Sequence, residues 1–264
     1  PYEMQDHRFS KTRPETIPFL KRLRELTDRY DERMMVGEVG ESIRAVEIMA
    51  EYTSGGDKLH MAYSFDMLGP EFTAAHFRSR IENYFKAARD AGGWPCWSFS
   101  NHDVQRHVTR WAEHAIDLDD LAKQAAALLL SFEGSICLYQ GEELGQTETV
   151  LDFEELRDPP GITFWPEYKG RDGCRTPMVW SAQAPHGGFS DGTPWLPVKS
   201  EQAARAVDRQ DGDGNSVLTF YREMLAYRRA SPALLNGKTS FADLPEPLLG
   251  FSRGEGDEAM LCIF

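Results

Sequence analysis

The sequence predicts an α/β fold in which short parallel strands alternate with amphipathic helices. Two observations support this prediction: apolar runs with strand character recur along the chain, and segments with apolar residues at helical spacing lie between them. One strand and its helix together occupy roughly 30 residues, a length typical of βαβ units. The chain has 264 residues, of which 41% are hydrophobic, enough for a sizeable core.

Four apolar runs are predicted to be strands, and they are Met34–Val36, Leu59–Phe65, Trp94–Phe99 and Ser135–Tyr139. Four segments with an apolar stripe are predicted to be helices, and they run from Ile17 to Leu26, Phe72 to Ala88, Leu118 to Phe132 and Val217 to Tyr227. Pro14 is predicted to begin the first helix, Gly134 to end the third, and Pro232 to lie beyond the fourth.

The charge balance excludes several classes of partner. Asp and Glu number 42 against 29 Lys and Arg, so the net charge of −13 argues against binding to nucleic acid or to anionic membranes. No run approaches the roughly 18 apolar residues of a transmembrane helix. We therefore expect no nucleic acid and no membrane as partners, and the oligomeric state is left open. A neutral small-molecule substrate is compatible with this charge, although the charge does not point to one.

The cysteines and histidines predict neither a metal nor a cofactor. The four cysteines lie far apart without a C-x-x-C pair, which is typical of thiols in a reducing compartment, so we expect a cytoplasmic location. The histidines form no H-E-x-x-H motif, and no glycine-rich phosphate-binding loop is present.

Residues 145–215 interrupt the alternation. They hold 7 of the 15 prolines and 9 of the 22 glycines, but also three tryptophans, which favours an ordered wall over a flexible linker. Gly188–Gly192 fits a G-x-S-x-G elbow, yet the flanking prolines exclude the strand and helix that such an elbow requires. The acidic stretch from Asp211 begins like a calcium loop but lacks its glycine and final glutamate, so it predicts a turn that caps the next helix.

The two ends of the sequence suggest an internal piece of a longer chain. The first residue is Pro1, no cleavable signal pattern comes after it, and Ala259–Phe264 reads as an apolar strand at the other end.

Polar side chains come directly after every predicted strand, and the residues concerned are Glu38, Asp66, the run Asn101-His102-Asp103, and Glu142 with Glu143. In a parallel β/α barrel the strand ends converge on one face, where the catalytic groups lie. For any single one of these carboxylates, a helix cap or a loop carboxylate is the alternative interpretation, and Glu142 and Glu143 stay close to it.

Glu38 and Asp103 are the strongest candidate catalytic pair. A carboxyl held among apolar walls and near another carboxylate can act as a general acid at neutral pH. An ionised neighbour can stabilise positive charge on a sugar ring, or act as nucleophile or base. The two residues by themselves leave open which role belongs to which.

Three segments resemble motifs of one enzyme family. Val36-Gly37-Glu38-Val39 and Asn101-His102-Asp103, continued by Gln105-Arg106, resemble the fifth- and seventh-strand motifs of the α-amylase clan, glycoside hydrolase family thirteen. Phe164-Trp165-Pro166 and the run from Gly170 to Trp180 resemble the loop after strand eight in its α-glucosidase and oligo-1,6-glucosidase branch.

The resemblance runs nearly end to end and implies a domain organisation. Residues 1–236 would be the second half, strands five to eight, of a (β/α)8 TIM barrel, including the long loop 145–215. Residues 237–264 would be the beginning of a C-terminal all-β domain.

The resemblance also implies a reaction: retaining, exo-acting hydrolysis of an α-glucoside at the non-reducing terminal glucose of maltose- or isomaltose-type oligosaccharides or of sucrose. Glu38 would be the general acid/base and Asp103 the transition-state stabiliser. His102 would bind sugar hydroxyls, and Arg175, together with Arg171, would form the blind end that holds the terminal glucose. The alternative for both arginines is an ion pair that ties the loop down.

One departure from the family is large. The nucleophilic aspartate of a G-F-R-x-D-x-x-N-type motif has no match in residues 1–33, and the first-strand motif is absent as well. A retaining glycosidase needs both a nucleophile and an acid, so we expect no turnover by residues 1–264 alone. Two alternatives stay open: a transglycosylating relative, such as a sucrose isomerase or trehalose synthase, and a non-catalytic barrel of the kind found in amino-acid transporter heavy chains.

Overall fold

The computed structural model describes residue 7 and residues 9–41, 44–89 and 91–264. The chain forms two compact units. One consists of the residues up to Gly69 together with His76–Trp97, and the other consists of Pro70–Ala75 with Ser98–Phe264. Within the described ranges, no helix combines the length and the apolar character that crossing a membrane requires.

The first unit is built on parallel strands. Its elements are α1 (Thr16–Thr27), β1 (Val36–Val39), α2 (Ala45–Thr53), β2 (Met61–Ser64), all but the first two residues of α3 (Ala74–Ala88), and β3 (Cys96–Trp97). β1 pairs in parallel with β2, and Ala62 of β2 forms a parallel bridge with Pro95, directly before β3. Strands that pair in parallel with helices between them confirm the predicted α/β alternation.

Helix α2 supplies much of the core of this unit. It packs against β1 and β2 and buries most of its length. At its end the Thr53 hydroxyl lies 3.0 Å from the Tyr84 hydroxyl of α3, so both buried polar groups have a partner. Burial raises the pKa of Tyr84 to about 12.

Two predictions for this unit need correction. β1 runs from Val36 to Val39 rather than over Met34–Val36, because the parallel ladder with β2 begins only at Val36 while Met34 is exposed. Helix α2 is not predicted at all: it has only nine residues, and its polar face is narrow, with Glu47 and Glu51 exposed beside a wide apolar face. α1 begins at Thr16, two residues after Pro14.

The second unit contains more and shorter helices. Its elements are α4 (His107–Arg110), α5 (Leu118–Ser131), β4 (Ser135–Ile136), α6 (Pro159–Thr163), α7 (Ser200–Ala204), α8 (Val207–Gln210), α9 (Val217–Ala230), α10 (Pro232–Asn236), β5 (Thr239–Phe241), β6 (Gly250–Arg253) and β7 (Met260–Ile263). β5, β6 and β7 form an antiparallel sheet in that order.

Helices α5 and α9 pack against each other and form a core of this unit. The Asp117 side chain caps α5 by accepting the first backbone N–H groups, and Gly134 has a φ of 120° just beyond its end. The Ser216 hydroxyl caps α9 by accepting the Thr219 N–H, so the stretch after Asp211 is the predicted turn and cap.

The predicted strands Trp94–Phe99 and Ser135–Tyr139 are much shorter in the structure, where only Cys96–Trp97 and Ser135–Ile136 are strands. Local bonds replace the ladder after the first of them. The Ser98 hydroxyl donates to the Ser100 carbonyl, and the Ser100 hydroxyl accepts the His107 N–H.

Residues 145–215 form an ordered segment, as predicted, with α6, α7, α8 and several 3-10 turns.

Two arginines, one of them fully buried, bind backbone carbonyls near the ends of helices. The Arg253 guanidinium of β6 is fully buried and donates to the carbonyls of Ser131, Leu234 and Gly237, the last two at 2.9 Å. Arg228 of α9 donates to carbonyls just beyond the end of α5. The last carbonyls of a helix have no partner within it and carry partial negative charge, so a cation satisfies them. Burial lowers the pKa of Arg253 to about 10.

We expect Arg253→Met to destabilise the protein by about 3 kcal/mol, because it leaves buried carbonyls without a donor. Urea unfolding followed by circular dichroism measures this change. Arg229→Met is the matched control, since Arg229 is exposed, and it should stay within about 0.5 kcal/mol of wild type. Equal stability of the two variants would contradict a role for the carbonyl contacts.

Candidate active site

The run Asn101-His102-Asp103 forms a turn that fixes the backbone at Asp103. The buried Asn101 side chain accepts the Asp103 N–H through Oδ1 at 2.8 Å. This bond to the backbone two residues on is an Asx turn, which asparagine favours. The Asp103 side chain is 25% exposed, so one part is held by protein and another part reaches solvent.

Two guanidinium groups converge on one oxygen of Asp103. Arg171 Nη1 lies 2.9 Å from Asp103 Oδ1, and Arg175 Nη2 lies 2.8 Å from the same atom. Arg175 also donates through Nε to the His102 carbonyl at 2.6 Å, and His102 Nε2 lies 3.6 Å from Oδ1. The structure therefore brings together four of the five predicted site residues, all of them in the second unit.

Arg171 also makes the loop-tying ion pair that was the alternative interpretation. Its Nη2 donates to Asp158 Oδ1 at 2.8 Å, and its Nε donates to Oδ2 at 3.0 Å. The Arg171 hydrogen bond is the main reason why the pKa of Asp158 lies below its usual value. Arg171 thus has both contacts at once, one to Asp158 and one to Asp103.

Side chains bonded to backbone hold the surrounding loops in place. Asp172 Oδ2 accepts the N–H groups of Arg157 and Asp158 at 2.6 and 2.7 Å. The buried guanidinium of Arg106 donates to the carbonyls of Gln140 and Cys174 at 2.7 and 3.0 Å. The Arg106 contacts connect the turn after Asp103 with the segment that carries Arg171 and Arg175.

Burial shifts the pKa of two groups beside these loops. Glu148 accepts the backbone N–H of Arg106 at 3.0 Å, and burial raises the pKa of its carboxyl. Burial also raises the pKa of the Cys174 thiol to about 12, so this thiol stays protonated at neutral pH.

Sequence reasoning missed Asp158 and the buried guanidinium contacts of Arg106. Asp158 stands directly before Pro159-Pro160, a setting that reads as a helix cap. In the structure its side chain makes no cap bond and pairs with Arg171 instead. Arg106 lies just after the seventh-strand motif, but its targets are carbonyls of distant residues, for which the sequence carries no signal.

The position of Glu38 follows from the pairing of β1 with β2. The residue lies within β1, opposite Tyr63 of β2, and its side chain is exposed. Side chains alternate along a strand, so Glu38 shares the face of the exposed Val36, whereas Val39 occupies the buried face. Glu38 belongs to the first unit.

Asp66 and Glu143 have local hydrogen-bond partners, as the loop interpretation predicts, whereas neither oxygen of the buried Glu142 accepts a hydrogen bond in the described part of the chain. Asp66 accepts the Ser64 hydroxyl at 2.9 Å and lies 3.4 Å from Arg80. Glu142 is buried with an oxygen 3.4 Å from His107 Nδ1. Glu143 accepts the Gly141 N–H at 2.8 Å, and burial raises the pKa of Glu143.

A cavity of about 360 Å³ lies beside the arginine cluster. Arg175 and Asp172 line it together with the half-exposed Phe189 and the exposed Trp195. A hollow with mostly apolar and aromatic lining and few polar groups is typical of small-molecule sites. In the part of the chain that the structure describes, no group of three or more His, Cys, Asp or Glu side chains is placed to hold a metal ion.

Parallel strands with helices between them in the first unit, and a carboxylate shared by two arginines in the second, are features typical of α/β enzymes with carboxylate-based sites. Comparison with known families is specific: the alpha-amylase catalytic-domain model matches residues 2–237. The chain belongs to that family.

Its relatives include glucosidases and a glucosyl transfer enzyme. A probable alpha-glucosidase of Rhizobium meliloti is 51% identical over all of this chain and 48% of its own length. An oligo-1,6-glucosidase of Halalkalibacterium halodurans is 26% identical over 95% of this chain and 49% of its own. The crystal structure of the alpha-glucosyl transfer enzyme XgtA superposes with a TM-score of 0.92, at 46% identity, over 100% of this chain and 48% of that one. The chain spans about half the length of the relatives it matches.

We expect Asp158→Asn to lower the free energy of unfolding at pH 7 and to lower it by less at about pH 3. The folded pKa of Asp158 is lowered, so the stability from its ionised form is present above the unfolded value of about 3.9 and is lost as the pH falls through the folded value.

Urea unfolding at both pH values tests this expectation. Asp191→Asn is the matched control, because Asp191 is exposed in the same long segment, and it should change stability little at either pH. A destabilisation by Asp158→Asn that stays the same at both pH values would contradict the ionic origin.

Proposed function

We propose that the protein to which this chain belongs is a retaining, exo-acting α-glucoside hydrolase. The observation that carries the proposal is the convergence of Arg171 and Arg175 on Asp103, beside His102. Family membership and the glucosidase relatives support it. The substrate would be a maltose- or isomaltose-type oligosaccharide or sucrose, cleaved at the non-reducing terminal glucose.

The roles are those of the chemistry of retaining glycosidases. Glu38 protonates the leaving oxygen and later deprotonates the water that releases glucose. Asp103 stabilises the positively charged transition state. His102 and Arg175, with Arg171, bind hydroxyls of the terminal glucose, for which a rigid guanidinium fork is suited. The covalent intermediate forms on an aspartate for which residues 1–33 offer no matching motif.

We further propose that residues 1–236 are strands five to eight of the barrel and that 237–264 begin an all-β domain. The parallel pairing of β1 with β2 and the antiparallel sheet of β5, β6 and β7 support this division. The cysteine spacing supports a cytoplasmic location.

In the full-length protein, Glu38→Gln and Asp103→Asn should each lower kcat on maltose at least about 100-fold, because one removes the proton donor that a sugar leaving group needs and the other a fixed charge. Steady-state kinetics with circular dichroism as the folding check measure this. Asp66→Asn, at the end of β2, is the matched control and should keep wild-type activity. A folded Glu38→Gln variant that retained more than about one per cent of kcat would refute the assignment.

Residues 1–264 produced alone should show no turnover of an aryl α-glucoside, because a retaining mechanism needs a nucleophile as well as Glu38. The measurement is release of the aryl group at high protein concentration. Clear hydrolysis that disappears in Glu38→Gln would contradict this expectation.

Glucosyl transfer is a second candidate function, favoured by the 46% identity with an alpha-glucosyl transfer enzyme. Hydrolysis and transfer differ in whether water or another hydroxyl compound receives the glucose. Product analysis with maltose and a phenolic acceptor distinguishes them: free glucose alone indicates a hydrolase, whereas a dominant acceptor glucoside indicates a transferase.

A further inference from the structure

Asp158 is a buried carboxylate, and both of its oxygens accept hydrogen bonds from Arg171, unlike a typical surface ion pair. Its side chain is 1% exposed, against 32% for its partner Arg171. Oδ2 accepts the Arg171 backbone N–H at 2.8 Å in addition to Nε, and Oδ1 accepts Nη2. Bidentate, charge-assisted bonds of this kind fix the orientation of a guanidinium as well as its position.

The backbone around Asp158 leaves its side chain little room to move. The Asp158 N–H is held by Asp172. A β-carbon on Gly170, which has a φ of +76°, would lie 2.9 Å from Asp158 Oδ2. A β-carbon on Gly161 would lie 2.6 Å from the Lys169 carbonyl. The two segments therefore approach as closely as glycine permits, and they enclose the carboxylate.

The Arg171 guanidinium, held by Asp158, also contacts Asp103. Asp158 holds Nε and Nη2, and the remaining nitrogen, Nη1, donates to Asp103 Oδ1 at 2.9 Å. Because the guanidinium is planar and rigid, holding two of its nitrogens determines where the third one lies. We propose that Asp158 is a positioning residue for the reaction, which orients Arg171 and through it Asp103. This inference rests on the proposed function.

An ion pair that only stabilises the fold would affect the kinetics differently from a positioning residue. It would change how much protein is folded, but it would leave the rate of each folded molecule unchanged. A positioning residue changes the rate of the folded enzyme, and only while the residue it positions is present. Coupling between Asp158 and Arg171 in the catalytic rate therefore separates the two roles.

The experiment is a double-mutant cycle in the full-length protein, with Asp158→Asn, Arg171→Gln and both together. Kinetics on an aryl α-glucoside are measured where circular dichroism shows every variant folded. Asp158→Asn should lower kcat/KM by about 10- to 100-fold, with the loss mainly in kcat. In the Arg171→Gln background the same change should have less than about a twofold effect, because nothing is left to position.

Glu155→Gln is the matched control. Glu155 also forms a partly buried ion pair in the long segment, with Lys199 at 2.6 Å, but its contacts do not lead to Asp103. It should keep kcat/KM within about twofold of wild type. Wild-type kinetics in Asp158→Asn, or losses that multiply in the double variant, would overturn the inference while leaving the proposed function intact. An inactive wild-type protein would instead refute the proposed function, and this inference with it.

Discussion

The arrangement of the candidate site depends on two positive groups sharing one carboxylate oxygen. Arg171 and Arg175 carry like charges, and both donate to Asp103 Oδ1. Such an arrangement needs compensation, which Asp158 supplies for Arg171 and the His102 carbonyl supplies for Arg175. The two compensating groups lie in different parts of the chain, Asp158 in the segment 145–215 and His102 in the turn 101–103. The site therefore requires these two loops to be held next to each other.

Most of this support comes from bonds between side chains and backbone rather than from regular structure. The Arg106 guanidinium and the Asp172 carboxylate bind carbonyls and N–H groups of loops that have only short helical turns. Loops that carry functional side chains need this kind of scaffold, since their backbone groups have no ladder or helix to satisfy them. The segment 145–215 is ordered for that reason, despite its many prolines and glycines.

The sequence predicted the elements whose signal is local. Apolar periodicity and caps such as Asp117 and Ser216 account for the helices α3, α5 and α9. Helix α2 was missed, because it is short and its polar face is narrow. The bounds of β1 were predicted too early in the chain, because they depend on pairing with β2.

In the site, too, local sequence motifs were predictive, whereas contacts between distant residues were not. Motifs located Asp103, His102, Arg171 and Arg175, whose roles stay predictions. Asp158 could not be recognised, because its partner is chosen in three dimensions, 13 residues along the chain. For Glu38 the motif identified the residue, whose role stays a prediction, while the strand face on which it lies depends on the register of β1 with β2.

The contact between Gly161 and Gly170 has a consequence for how this part of the chain can vary. It closes the base of an excursion formed by residues 162–169, whose Ile162, Phe164 and Tyr168 are largely exposed. A loop whose two ends are in contact can change in length or composition without displacing the residues that flank it. Changes in this exposed surface are therefore tolerated while Arg171, directly after Gly170, keeps its place.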